Sequence, residues 1–285
     1  MNPLQQYFPL KQPGLEEIDW HGFKIWLIQH DWGELAIAEQ GAQILHFKPS
    51  GHHALLWLSS NPKPVGNAIR GGIPICWPWF GDHPENKDLP AHGTARQANW
   101  TIRSFESQPR SAHWRLQPQQ QLDPNLDLSL EIKITGSKLS LSLRSDNRGD
   151  QSTSISQALH SYFQVSGLAN IAISQVQDCP SYNKLAEQFQ LAQPIDLSQA
   201  VDRIFKHAGG IILSDGGTDT SLAINKQNSG STVVWNPGSR NLPGDICSAE
   251  QPYFICIEAA NTAAYDLIEL APGGSHCLQL EIEPD

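Results

Sequence analysis

The sequence is short of charge, and the charge it has leans one way. Asp, Glu, Lys and Arg together make up 17% of the 285 residues, against about a quarter in ordinary soluble domains. Nineteen Lys and Arg stand against 29 Asp and Glu, a formal net charge of −10. That excludes the basic surface needed for nonspecific binding to nucleic acid or to an anionic membrane. No apolar run approaches the ~18 residues of a membrane-spanning helix. Met1 to Gly14 lacks a cationic region followed by an apolar one, so no signal peptide is expected. The five cysteines (Cys76, Cys179, Cys247, Cys256, Cys277) are scattered and form no Cys-x-x-Cys pair. This argues against a structural zinc site and predicts reduced, mostly buried thiols in a cytoplasmic protein. No two of the eleven histidines have the i, i+4 spacing and accompanying carboxylate of a helical metal motif. His52-His53 reads as a polar turn. A phosphate-cradling Gly-rich loop of the usual kind is also missing, so neither a metal nor a cofactor is expected.

What the chain has is turns and strands. Gly (22) and Pro (20) are plentiful, and short alternating segments recur along the whole length. Phe23 to Gln29, Glu34 to Glu39, Ala42 to Lys48 and Leu55 to Leu58 read as strands. Trp100 to Glu106 and Ala112 to Gln117 read as an antiparallel pair. The clearest signal is the hairpin from Leu126 to Leu143, in which leucines and isoleucines alternate with polar residues on both sides of Thr135-Gly136-Ser137-Lys138. Further strands are predicted over Thr153 to Val165, Ile211 to Ser214, Ser221 to Asn225, Thr232 to Trp235, Tyr253 to Ala259 and His276 to Glu283. Asn183 to Leu191 is the single candidate helix. With no repeat and no dividing linker, the expectation is an all-β sandwich in one domain spanning residues 1–285.

One stretch breaks this rhythm. Arg70-Gly-Gly-Ile-Pro-Ile-Cys-Trp-Pro-Trp-Phe-Gly81 is followed, after a polar loop, by His92-Gly-Thr-Ala-Arg96. Pro74 and Pro78 each remove a backbone donor, so Ile73 to Phe80 is neither helix nor central strand. Gly71 and Gly72 allow turns and a close backbone approach to a ligand. Two arginine forks beside a rigid aromatic loop suit an anion better than a core.

Strand parity adds two more groups. In Thr153 to Val165, Ile155, Leu159, Phe163 and Val165 point one way, and His160 points the other with Ala158 and Tyr162. In Tyr253 to Ala259, Glu258 shares a side with Phe254 and Cys256, a carboxylate inside an apolar run. Such a group is costly unless paired or functional. Singly, each candidate admits a structural explanation: Asp202 could pair with its neighbour Arg203, and Trp77 and Trp79 could be core or wall.

Together, the segments resemble a known family. The Arg70–Gly81 and His92–Arg96 segments, Ala-Leu-His-Ser-Tyr-Phe, Val-Asp-Arg-Ile-Phe, Val-Val-Trp-Asn-Pro and Ile-Cys-Ile-Glu occur in the order found in the hexose-6-phosphate mutarotases. These are the glucose-6-phosphate 1-epimerase branch of the aldose 1-epimerase superfamily. The resemblance covers Arg70 to Glu258 and implies a galactose-mutarotase-like antiparallel β super-sandwich. It also implies His160 as acid, Glu258 as base, Arg70 and Arg96 on the substrate phosphate, Asp202 on a sugar hydroxyl and His92 lining the pocket. Ala91 departs from the family, some members of which carry a substrate-binding Gln there. The implied reaction is anomer interconversion of a hexose 6-phosphate, with a bell-shaped pH profile whose acidic limb reports Glu258 and basic limb His160. The expected partner is a small sugar phosphate, and the expected state a monomer. A glycosidase, or a non-catalytic sugar-phosphate-binding protein on the same sandwich, are the alternatives.

Overall fold

The computed structural model describes residues 2–240 and 242–285. The hairpin at Leu126–Thr135 and Lys138–Asn147 sets its pattern. Leu126, Leu128, Leu130, Ile132 and Ile134 on one strand, and Leu139, Leu141 and Leu143 on the other, are buried. The register is unbroken from Leu126 opposite Asn147 to Thr135 opposite Lys138. Each such aliphatic side chain contributes about 1.5–3 kcal/mol when fully buried, so a slip of one residue, which would expose them all, is strongly disfavoured.

This hairpin lies inside an eight-stranded antiparallel sheet. Its order is Ile171–Ile173, Ile211–Asp215, Thr220–Gln227, Ser275–Pro284, Lys138–Asn147, Leu126–Thr135, Ser111–Pro118 and Trp100–Gln108. A second eight-stranded sheet runs Gln188–Gln190, Ser181–Asn183, Val201–Lys206, Ser231–Asn236, Phe254–Asn261, Gln157–Leu159 and Ile75–Cys76, with Tyr162–Gln164 also paired to Phe254–Asn261. A four-stranded meander is built from Gly14–Trp20, Phe23–His30, Gly33–Ala38 and Ile44–Pro49. One apolar cluster joins them: Leu130, Leu141 and Leu280 from the first sheet, Phe163, Val234, Ile255 and Ile257 from the second, and Ile28, Ile37 and Phe47 from the meander. The second sheet therefore has one face in the core. Its other face carries two smaller apolar clusters, Trp57, Tyr162, Phe254 and Cys256 in one, and Cys76, Ala158, Val233 and Ala260 in the other.

Several expectations are corrected. Asn183 to Leu191 is not helical: Ser181–Asn183 and Gln188–Gln190 pair as an edge hairpin. The Asn183 side chain accepts from the N–H groups of Leu185 and Ala186, turning the chain, while Ser181–Asn183 pairs with Val201–Lys206. Sheet pairing overrides the local helical preference here. Leu55 to Leu58 makes only isolated bridges, Leu56 to Phe163 and Leu58 to Gly71. Thr153 to Val165 is three short strands rather than one, Thr153–Ile155, Gln157–Leu159 and Tyr162–Gln164. Its breaks fall where Ser156 and His160 turn their N–H groups to the carbonyls of Pro78 and Pro74. The strand Val201–Lys206 was not foreseen at all.

All five cysteines are free, but only Cys76 and Cys256 are buried. Cys247 is exposed in a loop, and Cys277 lies on the outward side of a strand whose Leu278, Leu280 and Ile282 fill the core. Among the described residues no helix is long and apolar enough to cross a membrane, and no three His, Cys, Asp or Glu side chains are grouped as a metal site.

Candidate active site

The glycines of the Arg70–Trp100 stretch serve the chain itself. Gly72, at φ 62°, lies so close to Ile44 that a Cβ would sit 2.0 Å from its carbonyl oxygen. Gly93, at φ 74°, would place one 1.9 Å from the Trp77 carbonyl oxygen. The close approach seen here is to backbone, and it folds the loop tightly enough to bring Arg70, His92 and Arg96 to one place. Trp77 is core, its indole N–H donating to Ser145 Oγ at 2.9 Å. Trp79 is wall, donating to the Pro90 carbonyl at 3.0 Å.

Register does the rest. On the strand Phe254–Asn261, Ile255, Ile257 and Ala259 enter the main core, so Phe254, Cys256, Glu258 and Ala260 face the other way. Ala158 pairs with Ala260, and Tyr162 pairs with Cys256. The residue midway on each strand is His160 on one and Glu258 on the other, so the two are cross-strand neighbours. His160 Nε2 lies 3.3 Å from Glu258 Oε1. The gap between the two short ladders leaves the histidine ring facing the site rather than another strand.

The side chains grade from floor to mouth. Glu258 is 1% exposed, His160 9%, Asp202 18%, Arg70 23% and Lys184 35%. His160 stacks on Tyr162 with ring centroids 4.9 Å apart and planes 10° from parallel. Trp235 meets His160 edge-on at 6.1 Å, and His92 does so at 5.8 Å. Arg70 donates to the buried Asp245 carboxylate and to the Tyr162 hydroxyl, both at 3.2 Å. Arg96 donates to the Ala91 carbonyl at 2.7 Å, while its Nε is buried without a partner in the protein. Backbone at Ala91 therefore anchors an arginine, whatever side chain is present there. Asp202 pairs with Lys184 at 3.5 Å and not with Arg203. Neighbours on a strand point to opposite faces, and Arg203 donates instead to Ser181 Oγ and to the carbonyls of Gln193 and Pro194.

Burial and the nearby cations Arg70, Arg96 and Lys184 set the electrostatics. Burial pushes Glu258 well above the ordinary carboxylate range; Asp202 adds to this, while Lys184 and Arg96 oppose it. His160 is held well below the usual imidazole range by burial, with His92, Arg96 and Arg70 acting in the same direction. His92 is lowered to about 3 by burial and by Arg96, Lys184 and Arg70. Because His92 Nδ1 accepts from the Gly81 N–H at 3.3 Å, its proton sits on Nε2 and the neutral ring is a donor. Burial weakens the Arg70 charge, but Tyr162 and Asp245 more than offset this and the guanidinium stays ionised. Both shifts in the central pair favour a neutral imidazole beside a protonated carboxyl. The sequence expected an imidazolium–carboxylate pair, so the acidic limb of a pH profile moves to His160 and the basic limb to Glu258.

All six residues singled out in the sequence contribute to this pocket. Three it did not single out are here too: Lys184, hidden by its assignment to a helix, Asp245, which nothing in its local sequence marks, and Tyr162, noted only as a neighbour of His160. Glu258 Oε2, His160 Nδ1, Arg96 Nε and Asp245 Oδ1 are all buried without a protein partner, so each has hydrogen-bonding capacity left for a ligand. A hollow of about 590 Å³ between Ser166 and Tyr253 contains no carboxylate, imidazole or guanidinium.

Known proteins resemble the chain in sequence and in fold. The aldose 1-epimerase family matches residues 24–283. A protein of Escherichia coli (strain K12), provisionally named glucose-6-phosphate 1-epimerase, is 29% identical over 269 residues, covering 90% of this chain and 88% of its own. A solved structure of a provisionally named mutarotase from Salmonella typhimurium superposes with a TM-score of 0.85 at 24% identity, over 97% of this chain and 95% of its own. A galactose mutarotase-like protein from Clostridium acetobutylicum superposes with a TM-score of 0.74 at 12% identity, over 97% of this chain and 99% of its own. The fold is a galactose-mutarotase-like antiparallel β super-sandwich.

Proposed function

The chain belongs to the aldose 1-epimerase family, and from that membership we propose that it interconverts the α and β anomers of a hexose 6-phosphate, glucose 6-phosphate first among them. The observation that carries this reading is the buried His160–Glu258 pair at 3.3 Å, set among cations in an otherwise acidic protein. The name of the Escherichia coli relative supports the substrate. We take residues 1–285 as one catalytic domain.

In the proposed reaction His160 gives a proton to the ring oxygen while Glu258 takes one from the C1 hydroxyl. The C1–O5 bond breaks, leaving a C1 aldehyde and a C5 hydroxyl. Rotation about C1–C2 presents the other carbonyl face. Closure then returns the proton on Glu258 to the carbonyl oxygen, and His160 recovers its own from the C5 hydroxyl. The pair carries one proton throughout. Its neutral form, with the proton on Glu258, is the state that accompanies the open-chain aldehyde. Arg70 and Arg96 help keep His160 neutral, so a phosphate dianion beside them cancels that field and raises the proton affinity of the acid. Asp202 accepts from a sugar hydroxyl, and the His92 N–H donates to a sugar oxygen.

The test is anomeric exchange measured by saturation-transfer NMR on glucose 6-phosphate and glucose, for wild type and Arg96→Ala. A charge-assisted hydrogen bond of about 1.5–3 kcal/mol gives a ten- to hundredfold loss of kcat/KM on the phosphorylated sugar, and far less on glucose. Exchange at the spontaneous rate with wild type makes the protein a binder only, and cleavage of a disaccharide makes it a glycosidase. An equal loss on both sugars removes the phosphate from Arg96.

A further inference from the structure

Lys184 stands where the edge hairpin meets the pocket. Its N–H donates to the Asp202 carbonyl at 2.9 Å, continuing the pairing of Ser181–Asn183 with Val201–Lys206 for one residue. Asn183 then turns the chain away. Lys184 is therefore directly opposite Asp202, in a cross-strand row that continues through Trp235 to Cys256. That row lies beside Glu258 on the same face of the sheet. The ammonium reaches 3.5 Å from Asp202 Oδ2 and 5.8 Å from the Phe80 ring. Phe80 belongs to the opposite wall, where its N–H is held by Ser156 Oγ at 2.9 Å and its ring packs against His92 at 5.0 Å.

We propose that Lys184 is a third phosphate-contacting cation, reaching from the edge hairpin across the pocket mouth to meet the 6-phosphate of the sugar. An ammonium has three donors, and Asp202 occupies at most one of them. With 35% of its side chain exposed, the head is open to a ligand at the mouth. Lys184 and Arg96 both act on His92, Glu258 and Cys76, so both charges bear on the same group of side chains. A compact ammonium on a flexible stem can follow a phosphate on a freely rotating C6 arm. This assignment rests on the hexose-phosphate reading, since it requires an anionic substituent on the sugar.

A purely structural lysine would hold Asp202 and nothing more. Losing it would weaken glucose and glucose 6-phosphate alike, because Asp202 faces a hydroxyl common to both. The experiment compares wild type, Lys184→Met and Lys184→Arg in two assays. One is calorimetric binding of inorganic phosphate, and the other is kcat/KM on glucose 6-phosphate relative to glucose. Lys184→Met keeps the apolar stem over Phe80 and removes the charge. It should weaken phosphate about tenfold, in keeping with one partly exposed charge-assisted contact, and lower the preference for the phosphorylated sugar by a similar factor. Lys184→Arg should recover both to within about threefold of wild type, within the scatter of such contacts. Unchanged phosphate affinity in Lys184→Met, or equal losses on the two sugars, overturns the assignment, as does a wild-type protein that binds no phosphate. Failure of the hexose-phosphate reading looks different: wild type itself would not accelerate exchange of glucose 6-phosphate.

Discussion

The hairpin Leu126–Asn147 and the segment Thr153–Gln164 use the same alternation to opposite ends. In the first, ten residues on each strand stay in register and every inward residue from Leu126 to Ile134 is buried. In the second, three strands of three residues are separated by Ser156 and by His160-Ser161, and the N–H groups of Ser156 and His160 turn to the Pro78 and Pro74 carbonyls instead of the ladder. The unbroken ladder spends its side chains on the core. The broken one keeps parity, so Ile155, Leu159 and Phe163 still reach the core, but each interruption frees a polar group on the other face. Ser156 holds Phe80 of the pocket wall, and His160 meets Glu258. Interruption of a sheet is thus how this fold makes room for chemistry without giving up its core.

That contrast can be broken from either side, and the largest effect is expected in the hairpin. Leu141→Ala empties a site that is 1% exposed in the main cluster and should cost about 2–5 kcal/mol of stability. Turnover per folded molecule should stay within twofold, because Leu141 lies in the other sheet from the site. Denaturant melts combined with NMR exchange rates measure both. A large loss of turnover in the folded fraction would mean that the two regions are not separable.

The complementary change is Glu258→Gln. It should lower turnover at least ~10²-fold, the lower end for a positioned proton-transfer group, while the melting temperature holds or rises, since burial opposes this charge. The pH profile adds a sign. Below the lowered His160 value both groups are protonated and no base remains; above the raised Glu258 value both are deprotonated and no acid remains. Wild type should therefore be bell-shaped, and the residual activity of Glu258→Gln should lose the bell and follow a single titration, that of His160. A folded variant retaining more than a tenth of the activity would return Glu258 to a structural role.

The smallest expected effect tests the cost of burying the site. Folded His92 resists protonation down to about 3, whereas an unfolded histidine ionises near 6.5. The unfolded chain therefore binds the extra proton between those values, and stability falls as pH falls through that window. At pH 5 the deficit is about 2 kcal/mol by linkage. His92→Asn, melted from pH 7 to pH 5, should lose correspondingly less stability than wild type. Parallel curves would show that the fold does not hold the ring neutral.

Alternation has period two and is local, so the sequence alone determined that the chain is β, where its long hairpin runs, and which side of a strand His160 and Glu258 occupy. It also determined the order of motifs that identified the family. Only the tertiary structure decided that the two side chains meet, because register between distant strands depends on what else the sheet buries. It likewise turned a helix-like segment into an edge hairpin that delivers Lys184, and brought Asp245 to Arg70 from a loop with no marking of its own. The preferred charge state of the central pair was decided there as well. Whether a proton rests on a carboxylate or an imidazole depends on how much water and how many cations surround them, and no stretch of sequence contains that information.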